Sequence, residues 1–327
     1  METIFKESMT LKDLESFIEN TINTSNVDLL KKLLKSYPIE TKNYLRENNS
    51  RLAPLCKAAT NGNLEMVKYL LLSNDIKDII DINEKNRSEF TPLLCACKEG
   101  HFEIIKFLLS SKDLNKKANI HVTRTDGSNA LLYAANSGNV EIVDYLITSS
   151  ELPENLNINT KNFLKYDALM VACTWGHIDV VKYLLESPKL KEHASILEVC
   201  HNGKNSFLYA CMRGKLEIVK YFMDNDKLCP NPYLGGNNKE AALVLAYKYN
   251  HKDIVEYLLS EKKISIDSYT WKWIQSNDRF KDEVGFTVIL NKDIKTMIET
   301  YHHSKILADK LEKELEYKEV FKNKMKV

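Results

Sequence analysis

No run of eighteen apolar residues occurs in this 327-residue chain, so no segment reads as a helix that could cross a bilayer. Charge of one sign is equally scarce. Lys and Arg number 46 against 45 Asp and Glu, a formal net charge of +1, which argues against a general electrostatic grip on nucleic acid. The opening METIFKESMTLKDLESFIEN carries acids and lacks an apolar h-region, so no secretory leader is expected. No Gly-rich phosphate loop and no G-x-S-x-G elbow appear. Catalysis has no visible home, and neither enzyme activity nor a cofactor is expected. Glycine is also sparse, at 10 residues, and that sparseness makes the placement of each one informative.

Gly62, Gly100, Gly138, Gly176 and Gly214 stand 38 residues apart, with Asn250 in the same place 36 further on. One apolar pattern follows each: NGNLEMVKYLL (61–71), EGHFEIIKFLL (99–109), SGNVEIVDYLI (137–147), WGHIDVVKYLL (175–185), RGKLEIVKYFM (213–223) and YNHKDIVEYLL (249–259). A second block precedes each, such as TPLLCACK (91–98), NALLYAAN (129–136) and DALMVACT (167–174). In the first block a turn-type residue or Pro opens a short helix whose run of Ala and Cys permits close helix approach. A glycine then ends it where left-handed backbone is cheap. The second block spaces Ile, Leu and Val for a helix with one apolar stripe. Neither helix can bury its stripe alone, so each copy needs neighbours, and the core is one-dimensional.

Thr91-Pro92-Leu93 with Ala96, and the run from Gly176-His177 through Leu184-Leu185, resemble the ankyrin repeat. The likeness covers about residues 48–260. It departs in length, since ankyrin units commonly run about 33 residues. The surplus falls after the second helix, as in LLSSKDLNKKANIHVTRTDG (108–127), ahead of hairpins clearest at Asp126-Gly127 and Asn202-Gly203. The fold this implies is an all-α ankyrin-repeat solenoid of stacked helix-turn-helix units joined by hairpin loops. Residues 1–47 read as an N-terminal helical cap in which Ser25 takes the glycine's place. Residues 48–263 read as six repeats, 264–301 as a degenerate seventh with Trp271 and Trp273 in its link, and 302–327 as a C-terminal amphipathic helix. That last helix, with Leu307, Leu311 and Leu315 at i,i+4, either closes the stack or docks a partner.

Of seven cysteines, Cys97, Cys173 and Cys211 lie three before the turn glycine, where Ala59 and Ala135 stand in other copies. A residue exchangeable with Ala in a tight seam reads as core. Cys95 faces another way from Cys97, and Cys200 and Cys229 have no assigned role. No metal is expected. His101, His177 and His251 follow the turn residue and read as structural or capping. Glu65/Lys68, Glu103/Lys106, Asp179/Lys182 and Glu217/Lys220 read as i,i+3 surface pairs of little energetic weight.

Function reads as a non-catalytic protein-binding module, an adaptor or scaffold. The alternative is a host-directed effector or regulatory protein with an activity or docking signal in 264–327. A cytoplasmic monomer is expected, in host cytoplasm for an effector, binding an unidentified protein and neither nucleic acid nor membrane. Contacts in such proteins come from the concave side of the first helices and the hairpin tips. The corresponding places here are the pairs before the turn glycine and the hairpin residues Leu52, Phe90, Ser128, Tyr166 and Lys204. Large apolar residues gather in the fourth and fifth copies, where Phe163, Leu164, Tyr166, Trp175, Met212 and Arg213 form the candidate partner-binding set. Changing Cys97, Cys173 and Cys211 together to Ala should leave cooperative unfolding intact. Stoichiometric zinc that survives chelation and is lost in the triple variant would assign them to a metal instead.

Overall fold

A computed structural model describes residues 10–47, 53–225, 228, 242–260, 266, 268–276, 279–281 and 287–324. Its contacts divide the chain into two compact units. The first comprises Met1–Ala172 with Asp179–Ser195, the second Cys173–Ile178 with Ile196–Val327. The first holds α1 (Leu11–Asn23), α2 (Val27–Ser36), α3 (Pro38–Glu47), α4 (Pro54–Thr60), α5 (Leu64–Leu72), α6 (Pro92–Glu99), α7 (Phe102–Ser110), α8 (Ala130–Ser137) and α9 (Val140–Thr148), with most of α10 (Ala168–Trp175) and α11 (Ile178–Glu186). The second holds α12 (Ser206–Met212), α13 (Leu216–Asp224), α14 (Ala242–Lys248), α15 (Lys252–Ser260), α16 (Ser268–Ser276) and α17 (Lys292–Lys324). The fold is an all-α repeat solenoid with, among the described residues, one two-stranded exception, β1 (Arg279–Lys281) paired antiparallel with β2 (Thr287–Ile289).

First helices pack on first helices, α4 on α6 and α6 on α8, while each also packs on the second helix of its own repeat. The seam is built from side chains too small to hold the backbones apart. Ala59, Ala96, Cys97, Ala135, Cys173 and Cys211 are fully buried, and burial pushes the Cys97 and Cys211 thiols well above their usual range. Starts of the first helices are capped by the side chains of Thr91, Asn129, Asp167 and Asn205, each accepting the amide three residues on. The earliest copy has Ala53 at that place and no oxygen to offer. There Glu84, from the linker ahead of the next repeat, accepts the amides of Leu55 and Cys56 at 2.8 and 3.1 Å.

Two backbone registers run along the chain. At the turn between helices, Ser25, Gly62, Gly100, Gly138, Gly176, Gly214 and Asn250 all take positive φ, Ser25 and Asn250 included. At the hairpin, Glu89, Gly127, Lys165 and Gly203 do the same, again 38 apart. Each hairpin closes identically: the amide of residue 86, 124, 162 or 200 donates to the carbonyl four residues on, at 3.0 to 3.1 Å. The surplus length of the repeat is a packed strap. Ile76, Leu114, Leu152 and Leu190 are buried at equivalent places, as are Ile82, Ile120, Ile158 and Ile196. Ser73, Ser111, Ser149 and Ser187 start each strap by accepting the amide two residues on.

The stretch expected to form a seventh copy departs from the others. Trp271 and Trp273 lie on helix α16, not in a link, and the turn position falls to Leu290, which is buried and does not take a left-handed conformation. A bulky side chain is costly there, and the antiparallel β1–β2 pair precedes it instead. No break falls at residue 302. One helix continues to Lys324, about 50 Å by helix rise. Ile294 and Ile298 bury its start, and Trp271 stacks on His302 at 3.9 Å between ring centres. Leu307 and Leu311 are 60% and 52% exposed, so the described part of the leucine stripe does not lie on the last repeat.

The turn register predicts unequal costs for two substitutions. Gly62 sits at φ +71°, and a Cβ there would come within 2.6 Å of the His101 ring. Gly62→Ala should cost about 1–2 kcal/mol from the left-handed backbone, more if His101 is displaced. Asn250→Gly, at φ +64°, relaxes the backbone but loses the bond that Asn291 Nδ2 donates to Asn250 Oδ1 at 2.9 Å, so it should cost less. Urea unfolding of both variants checks the pair.

Candidate partner-binding surface

Of the six candidate contact residues, Phe163, Leu164 and Tyr166 belong to the first unit and Trp175, Met212 and Arg213 to the second. The first three share one hairpin. Asn162 Oδ1 accepts the amides of Leu164 and Tyr166 at 3.1 and 2.9 Å, which fixes the loop from within. The Phe163 amide donates to the Asp126 carbonyl of the preceding hairpin at 2.9 Å. Its ring lies against Gly127, where a Cβ would meet Cδ1 at 2.8 Å. Even so Phe163 is 71% exposed and Leu164 57%. Tyr166 is half-buried.

In the second unit Trp175 ends α10 and is 58% exposed, and Arg213 caps the C-terminus of α12 and is exposed. Met212 is not a surface residue. It is 1% exposed, and its backbone, not its side chain, is engaged, accepting His251 Nε2 at 2.9 Å. Thr60, Lys98 and Lys248 at equivalent places carry polar groups that stay at the surface, whereas a flexible thioether gains by folding into the seam. Leu52 and Cys229 lie outside the described residues.

The histidine at 101, expected as structural or capping, does not cap its own helix. His101 makes no side-chain cap, and its Nε2 instead meets the Thr60 carbonyl of the preceding repeat at 3.0 Å. His251 does the same to Met212. Asn63 and Asn139, at the equivalent place, cap in the ordinary way. Cys200 is the first residue of its hairpin, with Sγ 2.7 Å from Asn202 Oδ1 and 3.3 Å from the Tyr209 hydroxyl.

Sequence reasoning missed a cluster on the same side of the first unit. Arg124 lies over the Phe90 ring at 4.6 Å, donates from Nη1 to the Tyr133 hydroxyl at 3.0 Å, and from Nε to the Ser88 carbonyl at 3.1 Å. Phe90 and Tyr133 are themselves 5.0 Å apart. In the second unit Leu197 and Val199 are 72% and 47% exposed. Asn159 and Lys161 occupy those places in the copy before, so a column comparison could have found the pair. The Arg124 cluster has no such signal, because it depends on how neighbouring hairpins abut.

The second helices are tied between repeats. None of Glu65/Lys68, Glu103/Lys106 and Glu217/Lys220 lies within ion-pair distance, and the i,i+3 expectation fails for these three. Lys31 reaches Glu65 and the Tyr69 ring of the next repeat, Lys68 the Phe107 ring, Lys106 Glu151, and Lys220 the Tyr257 ring. Asp144 stands in the lysine's place in its repeat and accepts Tyr183 Oη at 2.6 Å and Lys189 Nζ at 2.8 Å. Burial opposes its ionisation, but the bonds from Lys189, Tyr183 and Thr148 outweigh that and hold its carboxyl below the usual range. Burial, then the hydrogen bond to Asp144 and its charge, pushes the Tyr183 phenol up.

Among the described residues no three His, Cys, Asp or Glu side chains gather into a metal site, and no helix is long and apolar enough to cross a membrane. Paired helices, a left-handed turn and a hairpin recurring at one period define a repeat protein. A family model of ankyrin repeats matches in three copies, over residues 20–120, 112–194 and 188–270, and the chain belongs to the ankyrin-repeat family. No curated protein matches it.

The Asp144 tie yields a pH test. Its folded pKa is depressed, so its contribution is complete above the unfolded value of about 3.9 and is lost as pH falls through the folded one. Asp144→Asn should lower stability by about 1 kcal/mol at neutral pH. That difference should shrink below about pH 4 when unfolding is followed by circular dichroism.

Proposed function

We propose that this chain is a non-catalytic, cytoplasmic adaptor or scaffold that binds a protein partner as a monomer and acts on neither nucleic acid nor membrane. The contact residues are Phe163, Leu164 and Tyr166 on the hairpin of the fourth repeat and, in the second unit, Trp175 and Arg213. The observation that carries this is the exposure of large apolar side chains out of keeping with their columns. Phe163, Leu164 and Trp175 are among the most exposed large apolar side chains of the described residues, at places that Arg87, Ser88 and Asn61 or Glu99 fill in other copies. Exposed aromatic side chains at such places mark contact sites and hot spots. Family membership supports the general role, since ankyrin repeats serve as protein-binding modules.

A host-directed effector or regulatory protein working through 264–327 is the second reading. The exposed Leu307 and Leu311 favour a docking role for that helix.

Trp175→Ala and Phe163→Ala should each weaken binding of a cytosolic partner by on the order of 2 kcal/mol while barely moving the melting temperature. Capture from cytosol followed by titration of the purified partner measures both. A stability loss with binding unchanged would make these residues structural. Loss of capture on deleting 302–327, with both point variants silent, would favour the second reading.

A further inference from the structure

A second feature on the hairpin side of the first unit concerns charge. A hollow of about 320 Å³ opens beside α4 and the hairpin at 86–90, lined by Lys57, Arg87, Asn23, Thr60 and Ser88 among others. Its described lining holds two cations and no carboxylate. Other cations on this side are neutralised within the fold: Lys85 by Glu89 at 2.9 Å, Lys98 by Glu99 at 3.1 Å and Arg124 by Asp126 at 3.4 Å. Lys57 and Arg87 make no ion pair among the described residues, although Lys57 is half-buried, where an unpaired ammonium is costly. Glu84, which approaches from the buried side of Cys56, commits one oxygen to the Leu55 and Cys56 amides. The hollow is at the small end of ligand pockets, roughly 300–1,000 Å³, and suits the tip of a peptide better than a large cofactor. Arg124, whose Nε holds the Ser88 carbonyl, fixes one wall.

We infer that this hollow takes an acidic side chain of a protein partner, a Glu or Asp in an extended segment, with Lys57 and Arg87 supplying the opposing charge. The inference rests on the hairpin side being the partner-binding face, and it assigns chemistry to a place distinct from Phe163 and Trp175. A basic or neutral segment would leave both cations desolvated without compensation, so charge selects the partner here.

The probe is a fluorescein-labelled peptide alternating Glu and Gly, titrated with the full-length chain and followed by anisotropy at low ionic strength. The Glu peptide should bind, its Gln counterpart should not, and salt should weaken the complex. Lys57→Glu with Arg87→Glu should reduce affinity about tenfold or more, as two lost ion pairs would. Lys112→Glu, on an exposed strap, makes the control charge change and should leave affinity alone. Binding that persists in the double variant, that falls equally in the Lys112 variant, or that needs phosphoserine in place of Glu would overturn the inference. Because the Glu peptide does not report on Phe163 or Trp175, its failure alongside a Trp175-sensitive cytosolic partner would remove this site and leave the proposed function standing.

Discussion

Everything in this chain depends on one backbone requirement, a residue in left-handed conformation between the two helices of each repeat. It reverses the chain within a few residues, so that the first helix can lie against its neighbour's first helix while the second packs behind. Because L-residues resist that conformation, the requirement falls mostly on glycine, and the period of the molecule is written in those glycines. The same bareness then serves the stack. Where Gly62 and Gly214 have no Cβ, the histidines of the next repeat lie close and reach the carbonyls of Thr60 and Met212. One absent side chain thus turns the helix and admits the tie that holds the next repeat in register. Where the turn position falls to Leu290, the left-handed turn is gone and an antiparallel strand pair precedes it.

Other ties between repeats lie at different depths. The small-residue seam lets first helices touch, the straps bury one aliphatic layer after another, and the second helices link through cation–ring and carboxylate–phenol contacts. Each surface tie is weak singly, but a one-dimensional stack sums nearest-neighbour terms. Among the described residues the hairpin side adds fewer ties, from Arg124, the Phe163 amide and the Asn162 side chain to Ser128. That leaves its apolar tips and the Lys57–Arg87 hollow facing solvent.

Much of the fold could be read before any coordinates, since period, glycine and small-residue columns are local in sequence. Ser25 and Asn250 take the predicted left-handed turn although neither is glycine. Less legible was anything set by the next repeat. Met212 looks like a surface residue by column, and only the space around α12 decides that it turns inward. The lysines of the second helices look like partners of Glu65 or Glu103 one turn away, yet rings and acids of the adjacent repeat lie nearer. Glu84 lending a cap to a helix about thirty residues upstream has no sequence signature. Of the candidate contact set, exposure of Phe163, Leu164 and Trp175 was readable as residues out of keeping with their columns. The Arg124 cluster was not, because no column predicts how two loops meet.

The hairpins carry a further regularity. Those at 124–128 and 200–204 pair an Asp or Asn at the third place with glycine at the fourth, and a tyrosine, Tyr133 or Tyr209, reaches back from the following helix to the loop. Those at 86–90 and 162–166 have asparagine at the first place and Glu89 or Lys165 in the left-handed position. The two designs alternate, so along the sequence the loops repeat every 76 residues, the distance from Gly127 to Gly203. A shortened or lengthened version of this stretch should keep its loops matched when cut or spliced by the pair.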